Sequence, residues 1–104
     1  MAMQEAQIYK ALGDPVRLEM VQRLVEQSPL TLGEISRDLG VSRQGARKQI
    51  QVLVSANVVH LQPKGRQTQV TLDSASLRRA REFISRLEQQ WDQRLQALKA
   101  LVED

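Results

Sequence analysis

The chain has no cysteine, one histidine, and one residue each of tryptophan, tyrosine and phenylalanine. Without thiols there is neither a disulfide framework nor a thiolate metal site. The lone His60 has no second imidazole to share a metal with, and beside Leu61 in a β-prone run it reads as an ordinary structural or surface histidine. No apolar run approaches the roughly 20 residues a membrane span needs. The opening Met1-Ala2-Met3-Gln4-Glu5 lacks the basic start and apolar block of a signal peptide. A cytoplasmic protein with no membrane association is therefore expected. Catalytic constellations are missing as well: no nucleophile–base pair, no phosphate-cradling glycine loop and no metal-ligand cluster. Neither enzymatic activity nor a bound cofactor or metal is expected. The 104 residues suit a single domain over 1–104.

One further absence carries more information. The formal net charge is only +3, but acids are missing from a whole stretch. Between Leu39 and Leu72 stand Arg43, Arg47, Lys48, Lys64 and Arg66, with no Asp or Glu among them. Acids balance or outnumber bases on both sides of it, so the basic excess is confined to the middle of the chain. Such clustering is the electrostatic footprint of a surface that meets a polyanion.

The element pattern is mainly helical. Ile8, Ala11 and Leu12 mark a first helix over about 4–12, ended by Gly13. Asp14-Pro15 starts a second, with Asp14 as N-cap and Pro15 at the first helical position. Leu18, Val21, Leu24 and Val25 form its expected buried stripe. Thr31 to Glu34 has the form of a capping box, opening a helix with Ile35 and Leu39 inward and Gly40 as its terminator. Ser42 then caps a helix to about Ala56. The joining "LGVS" is short enough for a helix-turn-helix over about 31–56, with Leu39 and Val41 both turned to the core and small Ala46 at the crossing. Val58 to Leu72 changes to a β-prone pattern around Pro63-Lys64-Gly65-Arg66, predicting a two-stranded hairpin over about 58–72 with a basic tip.

From Ser74 to about Val102 the helical period returns. Leu77, Ile84, Trp91 and Leu98 recur every seven residues, interleaved with Ala80, Leu87, Arg94 and Leu101. This is a seam with one polar break, at Arg94. A helix of ~30 residues runs ~45 Å, more than a domain this small can cover, so its surplus predicts a second chain. Trp91 on that seam reads as interface packing and not as part of a ligand box.

Placed on a helical wheel, Ala46, Ile50 and Leu53 of the 42–56 helix share one stripe. Arg43, Gln44, Arg47, Lys48 and Gln51 occupy an adjoining acid-free arc. Val52 and Val54 fit neither and are expected to make late-helix or hairpin contacts. Ordinary solvated faces mix signs. Arginine and glutamine are instead the side chains that form bidentate bonds to guanine and adenine in the major groove, and a serine-capped helix N-terminus suits a phosphate.

In this order of elements the chain resembles the winged helix-turn-helix repressors of the ArsR/SmtB type. "KALGDPVRLEMVQRLVE" is similar to the entry into that family's second helix, and "LTLGEISRDLGVSRQGARKQIQVLVSANVV" to its helix-turn-helix. Ala56-Asn57-Val58-Val59 stands for the family's small residue, glycine and two aliphatics; Gly65-Arg66 resembles the wing tip. The resemblance implies a homodimer joined by helices 4–12 and 74–102, with Ile8, Leu12, Leu77, Ile84, Leu87, Trp91 and Leu98 at its interface. It implies double-stranded DNA as partner: Ser42 and Arg43 on phosphate, Gln44, Arg47 and Lys48 on bases, Gln51 on the same arc, and Lys64 and Arg66 of the wing on backbone or minor groove. Gln49 departs from the family's common histidine and lies off the polar arc, outside the reading set. Thr31 and Gly33 stand where metal-sensing members carry cysteines, and no histidine follows His60, so metal sensing is not expected. The residues specify no effector; an organic ligand, a partner protein or concentration alone would serve. A winged helix used only for protein contacts is the alternative function, but it calls for an apolar or mixed-sign face. A non-specific DNA coat calls for more charge.

Overall fold

A computed structural model describes residues 3–103. Five helices and a small sheet follow one another as α1 (Met3–Leu12), α2 (Pro15–Glu26), β1 (Leu30–Thr31), α3 (Leu32–Ile35), α4 (Arg43–Ser55), β2 (Val59–Lys64), β3 (Gln67–Leu72) and α5 (Ser74–Glu103). The result is a winged helix with a long C-terminal helix. Asp14 caps α2 as its sequence implies, its Oδ1 accepting from the amides of Val16 at 2.9 Å and Arg17 at 3.2 Å.

The sheet has three strands, not two, in the antiparallel order β1-β3-β2. Leu30 and Thr31 add to the outer edge of the hairpin opposite Val70 and Gln69. A two-residue strand carries too little pattern to be read from sequence. Gly65 opens the hairpin turn between Lys64 and Gln67 with φ +62, the first position of a two-residue loop, where glycine is preferred because it lacks the Cβ that strains this region.

Ile8, Met20, Leu24, Ile35, Ile50, Leu53 and the strand residues Val58, Val59 and Val70 form the centre of one core. Three expectations about it change. On α2 the buried face is Met20, Val21 and Leu24, while Leu18 and Val25 are exposed. Both registers bury Val21 and Leu24; packing against α1, α4 and the sheet selects the flank with Met20. The helix opened by Thr31 is a single turn that ends at the Ser36 cap, and the chain then bends through Asp38 at φ +58 and Gly40 at φ +72. Val41 lies at the surface, and only Leu39 of that turn packs on the core.

Beyond Ala80, α5 leaves the body. The molecule measures 69 × 25 × 24 Å, and of the residues from Arg81 to Glu103 only Phe83 is half-buried.

Candidate nucleic-acid interface

Ser42 has the extended backbone of an N-cap, and its Oγ accepts from the Gly45 amide at 2.9 Å. Capping fixes where α4 begins and so which residues face outward from its first two turns. Ala46, Ile50 and Leu53 are buried, as the wheel requires. Arg43, Gln44, Arg47, Lys48 and Gln51 are exposed, and among the described residues none of the three cations has an ion-pair partner. Val54 packs on the core, while Val52 is half-exposed beside Gln7 and Ala11 of α1. On the wing, Lys64 and Arg66 flank Gly65 at the tip, exposed and equally without an acid. All eight residues assigned to nucleic acid, Ser42 included, thus keep their side chains open to solvent.

Side-chain clasps set α4 relative to its neighbours. Arg17 of α2 donates from Nε to the Ala11 carbonyl at 2.7 Å, from Nη1 to Gln49 Oε1 at 2.5 Å and from Nη2 to the Lys10 carbonyl at 3.3 Å. It ties the open carbonyls at the end of α1 to the inner flank of α4. Gln49 is therefore occupied inside the protein. Arg23 does the same for the α3 turn, donating from Nη1 to the carbonyls of Ile35 and Arg37. Sequence reading missed both arginines. Their only signal is a basic residue on the semi-apolar side of an amphipathic helix.

Where the wing meets α5, Asn57 adopts φ +61, the position at which the family resemblance places glycine and which asparagine tolerates better than most residues. Its carbonyl accepts from Ser76 Oγ at 2.5 Å. Asp73 caps α5, its Oδ1 accepting from the Ala75 amide at 2.9 Å, while its Oδ2 lies 2.7 Å from His60 Nε2. The His60 hydrogen bond, aided by the Ala75 and Ser76 amides, holds the Asp73 carboxyl below its ordinary value. His60 is thus a surface histidine clipped to a helix cap.

Of the residues assigned to a two-fold interface, Ile8 must be withdrawn. It is 1% exposed and belongs to this chain's own core. Leu12 packs partly on that core and Leu77 is half-buried. Ile84, Leu87, Trp91 and Leu98 are exposed, Trp91 by 60%, and Leu95, Leu101 and Val102 join them. Among the described residues no group of three or more His, Asp or Glu comes together, and no helix is long and apolar enough to cross a membrane.

Residues 12–62 match a helix-turn-helix domain family. The helix-turn-helix transcriptional regulator Rv2034 of Mycobacterium tuberculosis is 33% identical over 95 residues, covering 91% of this chain and 85% of its own. Among solved structures, an ArsR-like transcriptional regulator from Rhodococcus sp. RHA1 superposes with a TM-score of 0.84 at 26% identity, over 94% of this chain and 92% of the other. The transcriptional repressor BigR from Xylella fastidiosa superposes with a TM-score of 0.61 at 25% identity, over 77% and 82%.

Proposed function

Because the chain belongs to the ArsR family of winged helix-turn-helix transcriptional regulators, we propose that it is a cytoplasmic homodimeric repressor that binds a pseudo-palindromic operator. The observation that carries this reading is the exposed acid-free face of α4, joined in sequence to an acid-free wing tip. In this reading α4 enters the major groove. Ser42 and Arg43 hold phosphate, Gln44, Arg47, Lys48 and Gln51 face base edges, and Lys64 and Arg66 follow the backbone or minor groove. BigR, one of its structural neighbours, is a repressor. The exposed seam of α5 supplies the two-fold, which sets two α4 helices about one turn of DNA (~34 Å) apart.

Two substitutions test the division of labour by fluorescence anisotropy on cognate and scrambled DNA. Arg47→Ala should cost about 1–3 kcal/mol on the cognate site and relax its sequence preference. Lys64→Ala should weaken both DNAs about equally and flatten the salt dependence by roughly one counterion. Identical behaviour of the two variants on both DNAs would overturn the assignment.

A further inference from the structure

Val52 is the odd residue of α4. It belongs neither to the buried stripe of Ala46, Ile50 and Leu53 nor to the polar arc, and it stays 39% exposed. It does not stand on open surface. α1 and α4 pack on one another, but a groove of about 300 Å³ runs between them, lined by Gln7, Lys10 and Ala11 on one side and by Val52, Ser55 and Ala56 on the other. Each side contributes residues at the same i, i+3, i+4 spacing, which puts three side chains on one helical face. Ala11 and Ala56 are buried at the bottom, and their short side chains do not reach across.

Floor and rim differ in chemistry. The floor is apolar, two alanines with Val52 as a wall. The rim carries the Gln7 carboxamide, the Ser55 hydroxyl and the Lys10 ammonium, all exposed. Among the described residues Lys10 has no ion-pair partner and no acid lines the groove. The volume is at the lower end for small-ligand sites and suits a short carbon body, while one cation with two neutral hydrogen-bonding groups suits a single carboxylate. The groove also has leverage. Arg17 ties the carbonyls of Lys10 and Ala11, two groove residues, to Gln49, which lies one turn before Val52. On its other flank α1 holds α5, where Tyr9 donates to the Ala80 carbonyl. α1 is thus the piece that mounts the reading helix on the shaft.

We propose that the groove between α1 and α4 is an effector site for a small amphipathic monocarboxylate. The tail lies against Ala11, Val52 and Ala56, and the carboxylate sits on Lys10 with help from Gln7 and Ser55. A ligand seated there wedges α1 from α4, loads the Arg17 clasp and tilts the reading helix against α5. DNA and the ligand then favour different settings of the same joint, so each lowers the affinity of the other. The regulatory half of this inference rests on the DNA-binding reading above; the ligand site does not.

The test titrates hexanoate, with hexanol as its uncharged counterpart, into the isotope-labelled full chain and follows backbone amide shifts by NMR. Hexanoate should give saturable shifts at Gln7, Lys10, Val52 and Ser55. Hexanol on the wild type, and hexanoate on Lys10→Met, should each bind roughly tenfold more weakly, since each lacks one partner of the charged contact. Ser55→Leu, at an exposed position, fills the groove and should abolish the shifts. No saturable shift, or binding that hexanol, Lys10→Met and Ser55→Leu leave unchanged, overturns the site. Shifts of the same amides on raising the protein concentration alone would put a second copy in the groove and overturn it too. In a second arm, saturating hexanoate should weaken DNA binding in fluorescence anisotropy about fivefold or more, and should leave Ser55→Leu unaffected; an unchanged wild-type affinity overturns the regulation. A wild-type chain that binds no DNA before hexanoate is added overturns the repressor reading and the regulation with it, while the NMR arm still decides the site.

Discussion

Removal of the Arg17 guanidinium should loosen α4 from the rest of the fold. In Arg17→Met the aliphatic stem is retained and three donated hydrogen bonds are lost, to Ala11, Gln49 and Lys10. The Lys10 bond is exposed and 3.3 Å long, so it contributes least. The other two are short and partly buried. Hydrogen bonds to a charged group are worth about 1.5–3 kcal/mol each, but the half-buried guanidinium recovers hydration once it is gone. A net loss of about 2–3 kcal/mol follows. In a domain of this size that lowers Tm by roughly 10 °C or more. Circular dichroism at one fixed protein concentration is the appropriate assay, since dimerisation would otherwise mix into the melting temperature. Gln49→Leu removes only one acceptor and should cost about 1 kcal/mol. Adding it to Arg17→Met should cost little more, because both touch the same bond. An Arg17→Met protein within about 0.5 kcal/mol of wild type, the range of an ordinary surface change, would refute the view that Arg17 holds α4.

Two further outcomes are expected. Trp91→Glu or Leu87→Glu should yield folded monomers by light scattering, because both side chains lie outside the chain's own core; a variant that remains dimeric would move the interface elsewhere. Asp73 should make the wild type acid-sensitive. Its folded carboxyl titrates below the ordinary 3.8, so the stability it lends is fully present above that value and is lost as pH falls through the depressed one. Asp73→Asn, which keeps a capping acceptor, should therefore show a shallower loss of stability as pH falls below the ordinary carboxylate value. Parallel acid unfolding curves would refute the assignment.

Much of this architecture is legible from local chemistry. Asp14-Pro15, the Thr31–Glu34 box and Ser42 each mark a helix start through a side chain that bonds its own backbone, a short-range interaction that neighbours do not override. Gly65 marks the hairpin for the same reason. What sequence misplaced depended on distant partners. Leu18 and Val25 have the same spacing as a buried pair, and only the packing of α2 against α1, α3, α4 and the sheet turns them outward. Ile8 looked available to a second chain because periodicity distinguishes apolar faces from polar ones but does not say which molecule covers them. The clasps of Arg17 and Arg23 and the buried position of Glu5 belong to the same class, since charge on a helix face reads as solvated until the fold places carbonyls or side chains against it.

Thr31 sits in two structures at once. Its backbone belongs to the strand beside Gln69, while its side chain accepts from the Glu34 amide at the start of the helix-turn-helix. The wing is thereby fastened to the helical reader through the main chain as well as through the core, with no hinge of soft side chains between them. Such a reading head has little internal play. In the dimer proposed above, the long shaft of α5 is then the lever that can change how two such units are set apart on DNA.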